Sequence, residues 1–231
     1  MADRRFPLLL PVTLLGLMPL PAQTDKPKPG ISQELAEARE KVISDVRYEL
    51  SFELEKGMTA VKGRCEAHFV LPAKVPGPIV IDFAGESIRG ILVNGEGRAH
   101  VRQVHNHLVL PESALQPGKN VFEAEFTSKV APTGTPLTVY KDKTDGKEYY
   151  YTLVVPADAH RLFPCFDQPG LKAVYSLRVE APADWVVVAN GTMLDPGSFQ
   201  DTRPLSTYLF AFAAGPFHEI RCEEPIVLGN T

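Results

Sequence analysis

A few strings in this chain carry residues that could do acid–base, nucleophilic or metal chemistry. In Phe163-Pro164-Cys165-Phe166-Asp167-Gln168-Pro169 a thiol stands two positions from a carboxylate, a pairing that could serve acid–base work if both groups were exposed. The same residue types also suit a structural part. Asp closes turns through nearby backbone, Pro169 fixes a rigid corner, Phe163 and Phe166 have the size of core anchors, and a free Cys such as Cys165 packs as a small hydrophobe. His105-Asn106-His107 places two imidazoles on one face of an extended chain, with Cα atoms about 6.6 Å apart. There they could catch a metal ion or simply edge an exposed hairpin. The string His218-Glu219-Ile220-Arg221-Cys222 comes nearest to H-E-x-x-H, the helical zinc-peptidase pattern in which two His one turn apart hold the metal. Its last residue is Cys, and the preceding run from Leu209 to Pro216 reads as strand and turn. Extended, His218 and Cys222 lie about 13 Å apart, too far to share an ion. No H-E-x-x-H and no defensible Ser, His and Asp arrangement occurs in the 231 residues. The chain is therefore expected to hold no catalytic residue, no metal ligand and no cofactor of its own.

Around these strings, composition narrows the class of protein. There are 24 Lys and Arg against 28 Asp and Glu, a formal net charge of -4, and the basic residues are scattered, which gives no electrostatic footprint for nucleic acid. Arg4 and Arg5, the apolar run from Phe6 to Leu20 and the small-residue end at Pro21-Ala22-Gln23 read residues 1–23 as a signal peptide. That run is interrupted by prolines and shorter than the roughly 20 residues a membrane span needs. The expectation is an exported chain, periplasmic or extracellular, with no membrane span once mature. Cys65, Cys165 and Cys222 are an odd set, so at least one is unpaired, oxidised or linked to another chain.

The elements that must position these residues are mostly strands. Residues 24–44 read as a Pro-rich linker and a short helix, capped by Ser32 and carrying Leu35, Ala38, Val42 and Ile43 near helical spacing. From 45 to 231 the hydrophobic period is two. Tyr48, Leu50, Phe52 and Leu54, then Val61, Cys65, Ala67, Phe69 and Leu71 after a turn at Gly57, predict an antiparallel hairpin with one buried face. Further strands are predicted at 79–83, 88–93, 99–104, 107–110, 121–126, 148–155, 172–180, 185–189 and 206–213. Asn94-Gly95, Pro117 to Asn120 and Asn190-Gly191 are the turn signals. The fold class is all-β, an antiparallel sandwich or a curved sheet.

The segment Ala157 to Ala173, with Phe163-Pro164-Cys165-Phe166-Asp167 at its centre, closely resembles a segment of the aminopeptidase N family of zinc metallopeptidases. Tyr48 to Leu54, Val61 to Phe69, Gly134 to Leu137 and Thr207 to Phe217 are similar to other stretches of the same family in the same order. All of these stretches belong to the family's N-terminal, saddle-like β domain. The resemblance therefore implies a domain that packs on a catalytic domain of the same polypeptide, outside the residues matched here, with zinc and peptide substrates belonging to the complete enzyme. The family's G-A-M-E-N motif is missing. Where the family has T-Q-x-E-P, whose Gln and Glu reach the active site, this chain has Thr152-Leu153-Val154-Val155-Pro156. An aliphatic pair offers no hydrogen bond to a substrate amine. Leu153 and Val155 either reshape the first substrate subsite or continue a buried strand. A domain parted from its catalytic neighbour should expose an apolar face of several hundred Å². Two other readings stay open: a free-standing β module that binds peptides or a partner protein, and an inactive paralogue used as a scaffold.

Overall fold

The computed structural model describes residues 26–97, 100–218 and 220. The leader at 1–23, Glu219 and Cys222 lie outside the described residues. Ser32 accepts a hydrogen bond from the Leu35 N–H and so caps α1 (Gln33–Val42), whose Leu35, Ala38, Arg39 and Val42 face inward.

The strands are β1 (Ser44–Glu53), β2 (Ala60–Leu71), β3 (Ile79–Asp82), β4 (Ser87–Val93), β5 (Arg102–Val104), β6 (His107–Leu110) and β7 (Gly118–Ala131). They continue with β8 (Leu137–Lys141), β9 (Glu148–Thr152), β10 (Ala173–Glu180), β11 (Val186–Ala189), β12 (Met193–Asp195), β13 (Ser198–Phe199) and β14 (Phe212–Gly215). β1 and β2 form the expected hairpin, with Gly57 at φ +72° in its turn, where a side chain would be strained. Tyr48, Leu50 and Phe52 from β1 and Cys65, Ala67 and Phe69 from β2 are all buried. β7 pairs with β2 along one edge, and its other edge is divided between β4, opposite Phe122 to Thr127, and β8, opposite Val130 and Ala131.

The large sheet runs β11-β14-β9-β8-β7-β2-β1-β10-β13-β12, and β3-β6-β5 form a small second sheet. β11 and β12 stand at opposite ends of that order, yet Ala189 and Met193 are four residues apart in the chain. Four residues span at most about 14 Å. The sheet must therefore curl until its two edges approach each other, which makes it a nearly closed saddle. Asn190-Gly191 lies in the link between those two edges, and β11 and β12 pair with β14 and β13 rather than with each other. The core holds a buried aromatic cluster. Tyr48, Phe163, Tyr175, Phe210, Phe212 and Phe52 touch ring to ring at centroid distances of 5.1 to 6.4 Å.

Two strand predictions need correction. The strand expected at 148–155 stops at Thr152: the Leu153 N–H still donates to the Pro136 carbonyl at 2.7 Å, but Pro136, opposite it, has no N–H to return. The stretch 206–213 is strand only from Phe212. Thr207–Leu209 forms a 3-10 turn, because the Ser206 hydroxyl donates to Pro169 O at 2.9 Å and the Thr207 hydroxyl to Asp167 at 2.6 Å. Those tertiary bonds outweigh local β preference.

Candidate functional site

The motif segment divides into an exposed head and a buried body. In the head, Leu153 and Val155 point outward, 57% and 56% exposed, while Val154 is buried. The alternation of a strand thus survives past the end of β9, and of the two readings left open for Leu153 and Val155, continuation of a buried strand does not fit the exposure of both side chains. Beside them, Tyr151, Ala213 and Val188 lie opposite one another across β9, β14 and β11. Tyr151 and Val188 are exposed, and so are Leu209, Tyr140 and Phe217. Phe217 packs on Tyr149 at 5.1 Å, and Tyr149 on Tyr140 at 6.4 Å. One end of the saddle therefore carries an apolar and aromatic outer face with no polar alternation. A single sheet face bathed in water normally has that alternation.

The body, Leu162 to Gln168, is buried, with Pro169 exposed at its end. Its backbone is fixed from several directions. Asp82 and Cys165 exchange both backbone hydrogen bonds, at 2.8 and 3.1 Å. The Phe166 N–H donates to the Tyr48 hydroxyl at 2.8 Å, the Asp167 N–H to Asp82 Oδ2 at 3.0 Å, and the Gln168 side-chain amide to Ala36 O at 2.9 Å. Asp167 accepts from the His160 N–H, the His160 ring and the Thr207 hydroxyl. It is a buried hub binding distant parts of the chain together, where the sequence suggested only a local turn. Cys165 and Cys65 are free and buried. Burial, with further upward push on Cys165 from Asp167 and Asp82, raises both thiols, so neither is a ready nucleophile. Phe163, Pro164, Cys165, Phe166 and Asp167 are all buried.

Sequence reasoning missed the ion cluster beneath this segment. Arg39, on the inward face of α1, grips Asp82 with two hydrogen bonds of 2.8 and 2.6 Å, and both side chains are fully buried. His107, expected on an exposed edge, is buried as well. Its Nδ1 lies 2.7 Å from Asp82 Oδ1, and its Nε2 lies 3.0 Å from both the Lys28 and Gly30 carbonyls. Every partner is an acceptor, so both ring nitrogens must donate and the ring is an imidazolium. His105 sits in the turn at φ +54°, so the two imidazoles do not share a face.

Burial pushes the Asp82 carboxyl up, but Arg39 and the His107 hydrogen bond outweigh this and bring it down to about 2. For His107, burial alone would lower the pKa, and the bond to Asp82 overrides it and raises it. The signs follow by linkage. The Asp82 contribution is complete above the ordinary carboxylate range and is lost as pH falls towards 2. The His107 contribution is complete below about 6.5, the ordinary histidine value, and is lost as pH rises through the raised value. Urea midpoints are therefore expected to decline on the alkaline side of neutrality. In His107→Gln that decline should be absent. An equal alkaline decline in both proteins would refute the assignment.

The outer face of β1 and β2 holds a second cluster that linear spacing could not reveal. Glu49 stands opposite Glu66 in register and Arg47 opposite His68. One ligand atom each from Glu49, Glu66 and His68 lie within 4.8 Å of one another.

Fold and motif together define an N-terminal domain of the metallopeptidase class. The family described as Peptidase M1 N-terminal domain matches residues 44–209, and the chain belongs to it. The chain is similar to an aminopeptidase N of Streptomyces lividans, 29% identical over 203 residues, covering 84% of this chain and 23% of that protein. It is also similar to a probable M1 family aminopeptidase 1 of Encephalitozoon cuniculi, 34% identical over 142 residues, covering 57% of this chain and 16% of that protein. A glutamyl aminopeptidase of Sus scrofa is 33% identical over 92 residues, 36% of this chain and 10% of that protein. The chain spans about a quarter or less of the length of these relatives.

Proposed function

We propose that this chain is the N-terminal domain of an exported zinc aminopeptidase, that it packs on a catalytic domain of the same polypeptide, and that Leu153 and Val155 shape the first substrate subsite. The observation that carries this reading is the position of that pair. Two large aliphatic side chains are held in solvent next to an apolar sheet face, and both sit where the family resemblance places the substrate-facing Gln and Glu. Exposed apolar patches of this kind mark contact surfaces.

Neither α1 nor the body of the motif segment offers a donor set for the catalytic zinc of such an enzyme. The described α-helix, α1, contains no His, and the body of the motif segment is locked into the core. When bound in the complete enzyme, zinc would supply the activated water for peptide hydrolysis. This domain's part would be to wall the cleft, exclude water and receive the side chain of the substrate's first residue. An aliphatic wall favours apolar first residues and gives up a hydrogen bond to the substrate amine.

The test is made in a polypeptide that joins this domain to its zinc-bearing domain. Leu153→Gln and Val155→Glu should shift the ratio of kcat/KM between apolar and polar N-terminal residues by about tenfold or more, the scale of 1 to 3 kcal/mol for pocket contacts. Unchanged values for every substrate would rule out a subsite role.

A further inference from the structure

We propose that Glu49, Glu66 and His68, on the outer face of the β1–β2 hairpin, bind a divalent transition-metal ion of the zinc class, with water completing its coordination. His68 Nε2 lies 3.6 Å from Glu49 Oε1 and 3.8 Å from Glu66 Oε2. Two ligands each about 2.0 to 2.2 Å from a tetrahedral ion sit about 3.4 Å apart. The two imidazole–carboxylate separations exceed that spacing by only a few tenths of an ångström, and the two carboxylates lie within 4.8 Å of each other. The same separations are too long for hydrogen bonds. His68 Nε2 is accordingly withdrawn from solvent and makes none, although it faces two carboxylates. The His68 side chain is 34% exposed as a whole, but this one nitrogen is shielded from water, and a cation between it and the carboxylates would give it the partner it lacks.

The neighbouring charges favour the ion as well. Glu49 also meets Arg47 at 3.2 Å, and Glu66 meets Arg64 at 2.9 Å. Each guanidinium is shared with a further acid: Arg47 with Asp201 at 2.5 Å and Arg64 with Glu123 at 2.8 Å. Four carboxylates against two guanidiniums leave a local charge of two minus four, or -2. A divalent cation balances that charge. Mixed imidazole and carboxylate donors suit zinc-like ions better than calcium or magnesium. All the ligands lie in β1 and β2, and the proposal does not depend on the reading of the chain as part of a peptidase.

The test uses the dialysed chain and zinc ion alone. Titration calorimetry, checked by elemental analysis, should show one zinc per chain. His68→Asn and Glu66→Gln should each weaken binding by about tenfold or more, the loss of a metal ligand exceeding that of an outer-shell partner. Zinc should raise the melting temperature of the unaltered chain and leave that of His68→Asn unmoved. The His68 and Glu66 side chains are 34% and 30% exposed and stand outside the core, so matching circular dichroism will show that both variants fold. Equal zinc affinity in the unaltered chain and His68→Asn, or no zinc bound by either, would overturn the proposal.

Discussion

Asp82→Ala is expected to cost about 3 to 5 kcal/mol of folding stability, the loss typical when one partner of a buried ion pair is removed. The reason lies in what it leaves behind. Arg39, fully buried, would keep its charge with only the Val80 carbonyl as acceptor, at 2.8 and 3.1 Å. His107 would lose the bond to its Nδ1, and the Asp167 N–H would lose its acceptor. A domain of this size is stable by roughly 5 to 15 kcal/mol, so the variant would be marginal. Adding Arg39→Met should restore part of the loss, because the stranded guanidinium goes with it. Urea unfolding of the single and double variants measures both effects. A loss below about 1 kcal/mol for Asp82→Ala, or no recovery in the double variant, would show that the pair is not holding α1 to the sheet.

That cluster also marks where the sequence stops being legible. Whatever depends on local periodicity could be read from it. Ser32 and the spacing of Leu35, Ala38 and Val42 foretell α1, and the period-two runs foretell the β1–β2 hairpin and most of its successors. The family motif was legible too, because its residues are contiguous. Long-range pairing was not. β1 lies parallel to β10, more than a hundred residues away, with Val46 opposite Ala173 and Glu53 opposite Glu180. Nothing in either strand names the other. Arg39, Asp82 and His107 come from three separate elements, and each looks like an ordinary surface residue in its own stretch. Glu49, Glu66 and His68 are likewise brought together only by the register of two strands. For the same reason Asp167 read as a turn residue, whereas Thr207, forty positions on, makes it a hub and turns a predicted strand into a 3-10 turn.

The second large effect is expected from Phe163→Ala, and its value lies in comparison with Leu153→Ala ten residues earlier. Phe163 is fully buried, and its ring meets Phe210 at 5.1 Å, Tyr48 at 5.9 Å and Tyr175 at 6.4 Å. Truncating such a side chain removes its transfer free energy and leaves a cavity that the rigid saddle can close only in part, a loss of about 3 to 5 kcal/mol. Leu153 is 57% exposed, and surface substitutions away from special features usually stay within about 0.5 kcal/mol. One motif segment would then have a body that sets stability and a head that does not. Leu153 and Val155 would be free to vary with the substrate, while Phe163 to Asp167 would be fixed by the fold. Chemical unfolding of the two single variants settles it. If Leu153→Ala costs as much as Phe163→Ala, the aliphatic pair belongs to the packed core, and the reading that places it at a substrate subsite fails with it.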